Sequence, residues 1–142
     1  KKVYLATAQA LDEEMRRRIE EHRRKRGDEW ITYEEPFRIA HVIKELKDRY
    51  PFILADCLTL WLSNLIHSGM EIEVEIENLI SELTSSHSSR IYLISNEVGM
   101  GIVPENELAR KFRDLAGTMN QKIAEVSDEV YMIVTGLPIK IK

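Results

Sequence analysis

Three stretches of the sequence combine reactive side chains with a pattern able to hold them in place. Phe52-Ile53-Leu54-Ala55 is an apolar run closed by Asp56. A carboxylate at the end of a buried strand can hold Mg2+ through water and set it against nucleotide phosphates. The same pattern also serves as a helix cap, and a helical pattern does follow. Ile91-Tyr92-Leu93-Ile94 is a second apolar run, and Asn96 and Glu97 stand where it stops. That pair can orient a substrate hydroxyl or a metal-bound water. Gly99 and Gly101 just beyond let backbone approach a ligand closely. The third stretch centres on His22, the one histidine of four that adjoins a cationic cluster, Arg23, Arg24, Lys25 and Arg26. A neutral imidazole can attack phosphorus and form a phosphoramidate, and cations beside it can neutralise charge as it develops on phosphates. On residue type alone, the favoured reading of His22 is a partly buried member of an amphipathic helix. The basic run then reads as a solvated face.

These groups can act together only if the chain brings them to one edge. Val3–Thr7, Trp30–Glu34, Pro51–Asp56, Ile91–Ser95 and Glu129–Thr135 read as strands, and the last three read as buried. Between them lie helical patterns. Asp12 caps one that runs to about Arg26 and stops at Gly27. Pro36 opens a second, with Phe37, Ile39, Ala40, Ile43 and Leu46 inward. Leu58–Ile66 closes at Ser68-Gly69, and Ile72–Leu83 is amphipathic. Pro104 opens a last one, with Glu105 and Glu107 in its first turn and Leu108, Phe112, Leu115, Met119 and Ile123 as its stripe. Gly136-Leu137-Pro138 reads as a turn and Ile139–Lys142 as a short edge strand whose lysines alternate outward. Alternating strands and helices mean an α/β fold with a mostly parallel sheet, flanking helices and right-handed crossovers. Ligands of such sheets bind beyond the carboxyl ends of the strands, where Thr7-Ala8-Gln9, Asp56 and Asn96-Glu97 would fall.

The 142 residues suit a single domain. At 44% hydrophobic and 31% charged, the chain has the composition of a folded globular protein and not of a disordered one. A formal net charge of −4 gives no general nucleic-acid footprint. Cys57 is the single cysteine, so neither a disulfide framework nor a cysteine zinc site is available. Following Asp56 directly, it reads as a small core residue. No apolar run approaches the ~20 residues of a membrane span. A cytoplasmic protein is the simplest expectation.

Longer motifs add a resemblance. Asn96-Glu97-Val98-Gly99-Met100-Gly101-Ile102-Val103-Pro104-Glu105-Asn106 is followed by Ala109-Arg110, Phe112-Arg113-Asp114, Gly117 and Asn120-Gln121. Together these resemble the bifunctional adenosylcobinamide kinase/adenosylcobinamide-phosphate guanylyltransferase family of cobalamin biosynthesis. Asp12-Glu13-Glu14-Met15, Arg18-Ile19 with His22, and Asp56–Asn64 are similar to that family's other segments. The resemblance covers the whole chain.

The resemblance implies a P-loop NTPase fold of the recombinase-like type, with 1–142 as one nucleotide-binding domain. It implies two activities. The first is phosphorylation of adenosylcobinamide by ATP or GTP. The second is transfer of GMP from GTP, through a guanylylated histidine matching His22, to adenosylcobinamide phosphate. It implies nucleotide contacts at Thr7, Ala8, Gln9, Arg23, Arg24, Lys25, Arg26, Glu34 and Asp56. Asp56 becomes a Walker-B carboxylate for Mg2+, and the assembly a homotrimer. Asn96 and Glu97 remain candidates for orienting substrate or metal-bound water. No Gly-x-x-x-x-Gly-Lys-Ser/Thr occurs in these residues, whereas the family carries one on its first strand. The expectation is that this strand and loop, about thirty residues, precede Lys1. Two other readings stay open, another P-loop small-molecule kinase with a structural His22, and a non-catalytic remnant.

Overall fold

A computed structural model describes the chain from Lys1 to Lys142. The strands β1 (Lys2–Ala6), β2 (Trp30–Glu34), β3 (Phe52–Asp56) and β4 (Arg90–Ile94) form one parallel sheet in the order β2-β1-β3-β4. Parallel neighbours need long crossovers, and helices supply them: α1 (Glu13–Arg26), α2 (Ile39–Leu46), α3 (Leu58–Ser68) and α4 (Ile72–Thr84). A long α5 (Glu107–Val126) follows β4 and leads to β5 (Tyr131–Val134) and β6 (Leu137–Lys140). Ala6 lies opposite both Glu34 and Asp56, and Asp56 opposite Ile94, so the four carboxyl ends share one edge.

Side chains alternate across the sheet, and the two faces differ. Val3, Leu5, Ile53 and Ala55 point into the core, under α2, α3, α4 and α5. Ile39, Ile43, Leu58, Trp61, Leu62, Leu65, Leu79 and Met119 fill that layer. The Trp61 Nε1–H donates to the Phe37 carbonyl at 2.6 Å, so the large indole is buried without an orphaned donor. Across the other face runs a row of rings, Tyr4, Trp30, Phe52 and Tyr92, with centroids 6.2, 5.6 and 4.6 Å apart in turn.

Several boundaries differ from expectation. Pro36 does not open α2. The Glu35 carboxylate accepts from the Phe37 and Arg38 N–H groups, both at 2.9 Å, and the helix starts at Ile39. Pro104 likewise lies in the loop. Asn106 caps α5, its Oδ1 accepting from Ala109 N at 3.0 Å, which leaves Glu107 alone in the acidic first turn. β4 is only half-buried, because its outer edge has no partner strand and Arg90, Tyr92 and Ile94 lie on the face away from the helical layer. The buried strand expected over Glu129–Thr135 is instead β5, paired antiparallel with β6 alone, and Ile133 is 63% exposed. Its turn is Thr135-Gly136, both at positive φ (51° and 78°), the backbone that a two-residue hairpin favours. The closing strand therefore begins at Leu137 and includes Pro138.

A buried ion pair ties the end of α2 to the end of α4. Lys47 Nζ meets Glu82 Oε2 at 2.7 Å and also donates to the Ser85 hydroxyl. Lys47→Ala should destabilise the fold by about 3 kcal/mol, because Glu82 is left without its counter-charge. Lys47→Met combined with Glu82→Leu should recover most of that loss in urea unfolding. A double variant no more stable than the single one would show that packing, and not charge, holds this junction.

Candidate active site

The edge is built on Thr7. This residue is 0% exposed. Its N–H donates to the Asp56 carbonyl at 3.2 Å, which extends the β1–β3 ladder by one step. Its hydroxyl donates to the Cys57 carbonyl and accepts from the Cys57 N–H, both at 2.8 Å. Its carbonyl accepts from Asn64 Nδ2 at 2.8 Å, and the same amide reaches the Pro36 carbonyl at 3.0 Å. Cys57 is buried and caps α3, its Sγ accepting from Leu60 N, and the Asp56–Cys57 peptide is cis. Every polar group of Thr7 is therefore engaged within the protein. Among the residues expected to touch nucleotide, it shapes the edge from beneath, whereas Ala8 and Gln9 are partly open to solvent.

Asp56 is half-buried in the middle of that edge. The Tyr4 hydroxyl donates to its Oδ2 at 2.5 Å. Burial, reinforced by the Asp56 carboxylate, pushes the Tyr4 phenol well above its ordinary range, with Arg26 opposing. The phenol therefore stays protonated and remains a donor. The Arg26 guanidinium lies 3.6 Å from the centroid of the same ring, and its Nε is buried without a hydrogen-bond partner. A partly shielded cation–π contact of this kind contributes about 1 kcal/mol. Glu34 is exposed at the end of β2, two strands from Asp56.

On the far side of Asp56, the Asn96 N–H donates to Thr59 Oγ1 at 2.8 Å, and Ser95 Oγ donates to Asn120 Oδ1 at 2.7 Å. Glu97 turns back on its own loop, its Oε1 accepting from Gly99 N at 2.6 Å. A Cβ at Gly99 would sit 2.7 Å from that oxygen, so a larger residue there would make the exposed Glu97 carboxylate swing aside. Arg113 donates to the Gly99 and Gly101 carbonyls, and Arg110 to that of Pro104. The loop is thus held by α5 while the Asn96 side chain faces solvent.

α1 buries no residue. Asp12 Oδ1 caps it at Met15 N (2.7 Å), Gly27 ends it at φ 74°, and pairs such as Glu14–Arg18 at 2.6 Å support it along its length. His22, Arg23, Arg24 and Lys25 are exposed. Arg23, Arg24 and Arg26 line a cleft of about 490 Å3 with Trp30 and Thr32 of β2. The basic run therefore borders a concave surface as well as solvent.

The residues present fit a hydrated Mg2+. Such an ion is commonly held by one or two carboxylates, with waters and substrate phosphates completing its shell. Asp56 accepts from Tyr4 through one oxygen, and its other oxygen would be the one to meet such an ion or its water. No group of three or more acidic, histidine or cysteine side chains forms a dedicated cage.

Tyr4, Thr59 and Asn64 do not stand out in the sequence. The available signal is alternation: with β1 and β3 in parallel register, Tyr4 falls on the same face as Asp56. A phenol beside a strand that ends in aspartate needs a partner for its hydroxyl.

The family model described as cobinamide kinase / cobinamide phosphate guanyltransferase matches residues 1–141. The chain is 44% identical over 141 residues to the bifunctional adenosylcobalamin biosynthesis protein CobP of Pseudomonas aeruginosa, covering 98% of this chain and 81% of that protein. It is 38% identical over 155 residues to the bifunctional adenosylcobalamin biosynthesis protein CobU of Escherichia coli, covering 99% and 85%. The protein of the same name from Salmonella typhimurium is 39% identical over the same length, with the same coverage.

Thr7→Val keeps the shape of the side chain and orphans the Cys57 N–H, while the Cys57 carbonyl keeps the Trp61 N–H. It should cost about 2 kcal/mol in denaturant unfolding, while Thr7→Ser should stay close to wild type. Equal stability of the valine variant would mean that the bracket adds nothing to strand pairing.

Proposed function

Because the chain belongs to the cobinamide kinase/cobinamide phosphate guanyltransferase family, we propose that it phosphorylates adenosylcobinamide and then transfers GMP to the phosphate it has made, through His22. The observation that carries this reading is the line of contacts from α1 to the strand edge. His22 stands one helical turn before Arg26, on the same face of α1. Arg26 lies over Tyr4, and Tyr4 holds Asp56.

In the phosphoryl step, the substrate hydroxyl attacks the γ-phosphorus of the nucleoside triphosphate, forming the new P–O bond as the bond to the nucleoside diphosphate breaks. The enzyme needs no nucleophile there, only positioning and charge. In the guanylyl step, an imidazole nitrogen of His22 attacks the α-phosphorus of GTP. A P–N bond forms and pyrophosphate leaves. An oxygen of the substrate phosphate then attacks the same phosphorus, the P–N bond breaks, and the histidine is restored. Arg23, Arg24, Lys25 and Arg26 neutralise phosphate charge. Ala8, Gln9 and Glu34 flank the nucleotide along the edge that Thr7 shapes, and Asn96 and Glu97 orient the incoming hydroxyl. Asp56 holds Mg2+, which when bound supplies positive charge against the phosphates. The same reading takes the working form to be a cytoplasmic homotrimer.

Labelled GTP tests the histidine. The wild-type intact protein should acquire GMP that is labile in acid and stable in alkali. His22→Ala should lose the adduct and guanylyl transfer and keep a substantial part of phosphoryl transfer. Persistence of an acid-labile adduct in that variant would place the nucleophile elsewhere and leave His22 structural. Asp56→Asn removes a charge with little change of shape. It should lose both activities by a factor of about 100 or more while its unfolding curve stays close to wild type. Wild-type rates across a magnesium titration would reduce Asp56 to a strand terminus.

A further inference from the structure

The contacts around Tyr4 reach in two directions. Its hydroxyl meets Asp56 Oδ2, and its ring is covered by the Arg26 guanidinium. Both contacts are sheltered, since Tyr4 is only 9% exposed although it lies on the sheet face away from the helical layer. On the other side of the contact, α1 has no buried side chain, and its apolar entry residue Leu11 is 82% exposed. Besides Arg26, only Met15 and Ile19 of that helix are as much as half-buried. A hydrogen bond links Trp30 N to the Gly27 carbonyl at 3.5 Å just past its end, and the Arg26 side chain is the one member of the basic run that turns onto the sheet.

We propose that Tyr4 is a positioning residue with two separable tasks. Its hydroxyl fixes the rotamer of Asp56, and its ring docks Arg26 and with it the face of α1 that bears His22. The inference rests on the roles given above to Asp56 and His22. It adds that one side chain sets the spacing between the carboxylate used by both transfers and the nucleophile used by one. The two tasks belong to different atoms, so substitution can part them. Tyr4→Phe deletes the hydroxyl and keeps the ring. Tyr4→Leu deletes both, and Arg26→Ala removes the stack without touching the sheet.

The test reads amide hydrogen exchange over Glu13–Arg26 without nucleotide, together with the two transfer rates. In Tyr4→Phe, exchange in α1 should match wild type. Both rates should fall about tenfold, the size of a lost hydrogen bond to a charged group, and half-maximal rate should need more magnesium. In Tyr4→Leu, α1 should exchange at least tenfold faster, and labelling of His22 should fall well below that of Tyr4→Phe while phosphoryl transfer stays level with it. Arg26→Ala should reproduce the faster exchange, which keeps the test decisive if the leucine variant folds poorly. Unchanged rates in Tyr4→Phe would overturn the first task. Wild-type exchange in Arg26→Ala would overturn the second. A His22→Ala protein that still carried GMP would overturn the proposed nucleophile while leaving the exchange results to stand or fall by themselves.

Discussion

The hydroxyl of Thr7 closes the gap between two strand ends where the regular ladder stops. β1 and β3 are paired through Ala6 and Asp56. One residue later the chain must leave the sheet and enter α3, and at that point backbone groups are most easily orphaned. Thr7 takes both the N–H and the carbonyl of Cys57. The turn into α3 is therefore fixed relative to β1, and Asn64 on that helix returns to the Thr7 and Pro36 carbonyls. Thr59 on the same helix receives the Asn96 N–H. Three separate connections at the carboxyl edge are thus referred to one buried threonine.

The layering decides what that edge can present. Four helices cover one face of the sheet, so the core lies there and the strands contribute Val3, Leu5, Ile53 and Ala55 to it. The other face carries aromatic side chains in contact with one another, and the helix that meets it does so by a cation. Arginine suits this place because its flat, weakly hydrated guanidinium can stack on a ring. The phenol beneath it is kept a donor by burial and by Asp56, so the carboxylate is held in place by a neutral group.

The sequence made the strand–helix alternation legible, because five apolar runs separated by amphipathic patterns admit few other arrangements. Asp56, Asn96 and Glu97 were placed at strand ends for the same reason, and they do lie at the edge of the sheet. Helix starts were less legible. Pro36 and Pro104 look like first-turn residues, but the side chains of Glu35 and Asn106 claim the free N–H groups further along. The apolar composition of Glu129–Thr135 suggested a buried strand, but burial depends on partners and not on composition, and β5 pairs only with its hairpin neighbour. Tyr4 was hidden because a tyrosine in a strand satisfies the pattern of an ordinary β-residue. Its role depends on a side chain 52 positions away, which no local window contains.

The two tryptophans stand in different surroundings. Trp61 is enclosed among the helices with its N–H on a carbonyl. Trp30 lies half-exposed in the ring row, beside the cleft lined by Arg23, Arg24 and Arg26. Indole emission shifts with the polarity around the ring, so the chain carries two native optical reporters on opposite sides of its sheet. Trp61 responds when the helical layer opens. Trp30 responds when the basic cleft fills or when α1 changes its seat. With one tryptophan replaced by phenylalanine, each signal can be followed alone, separating global unfolding from events at the site without an added label.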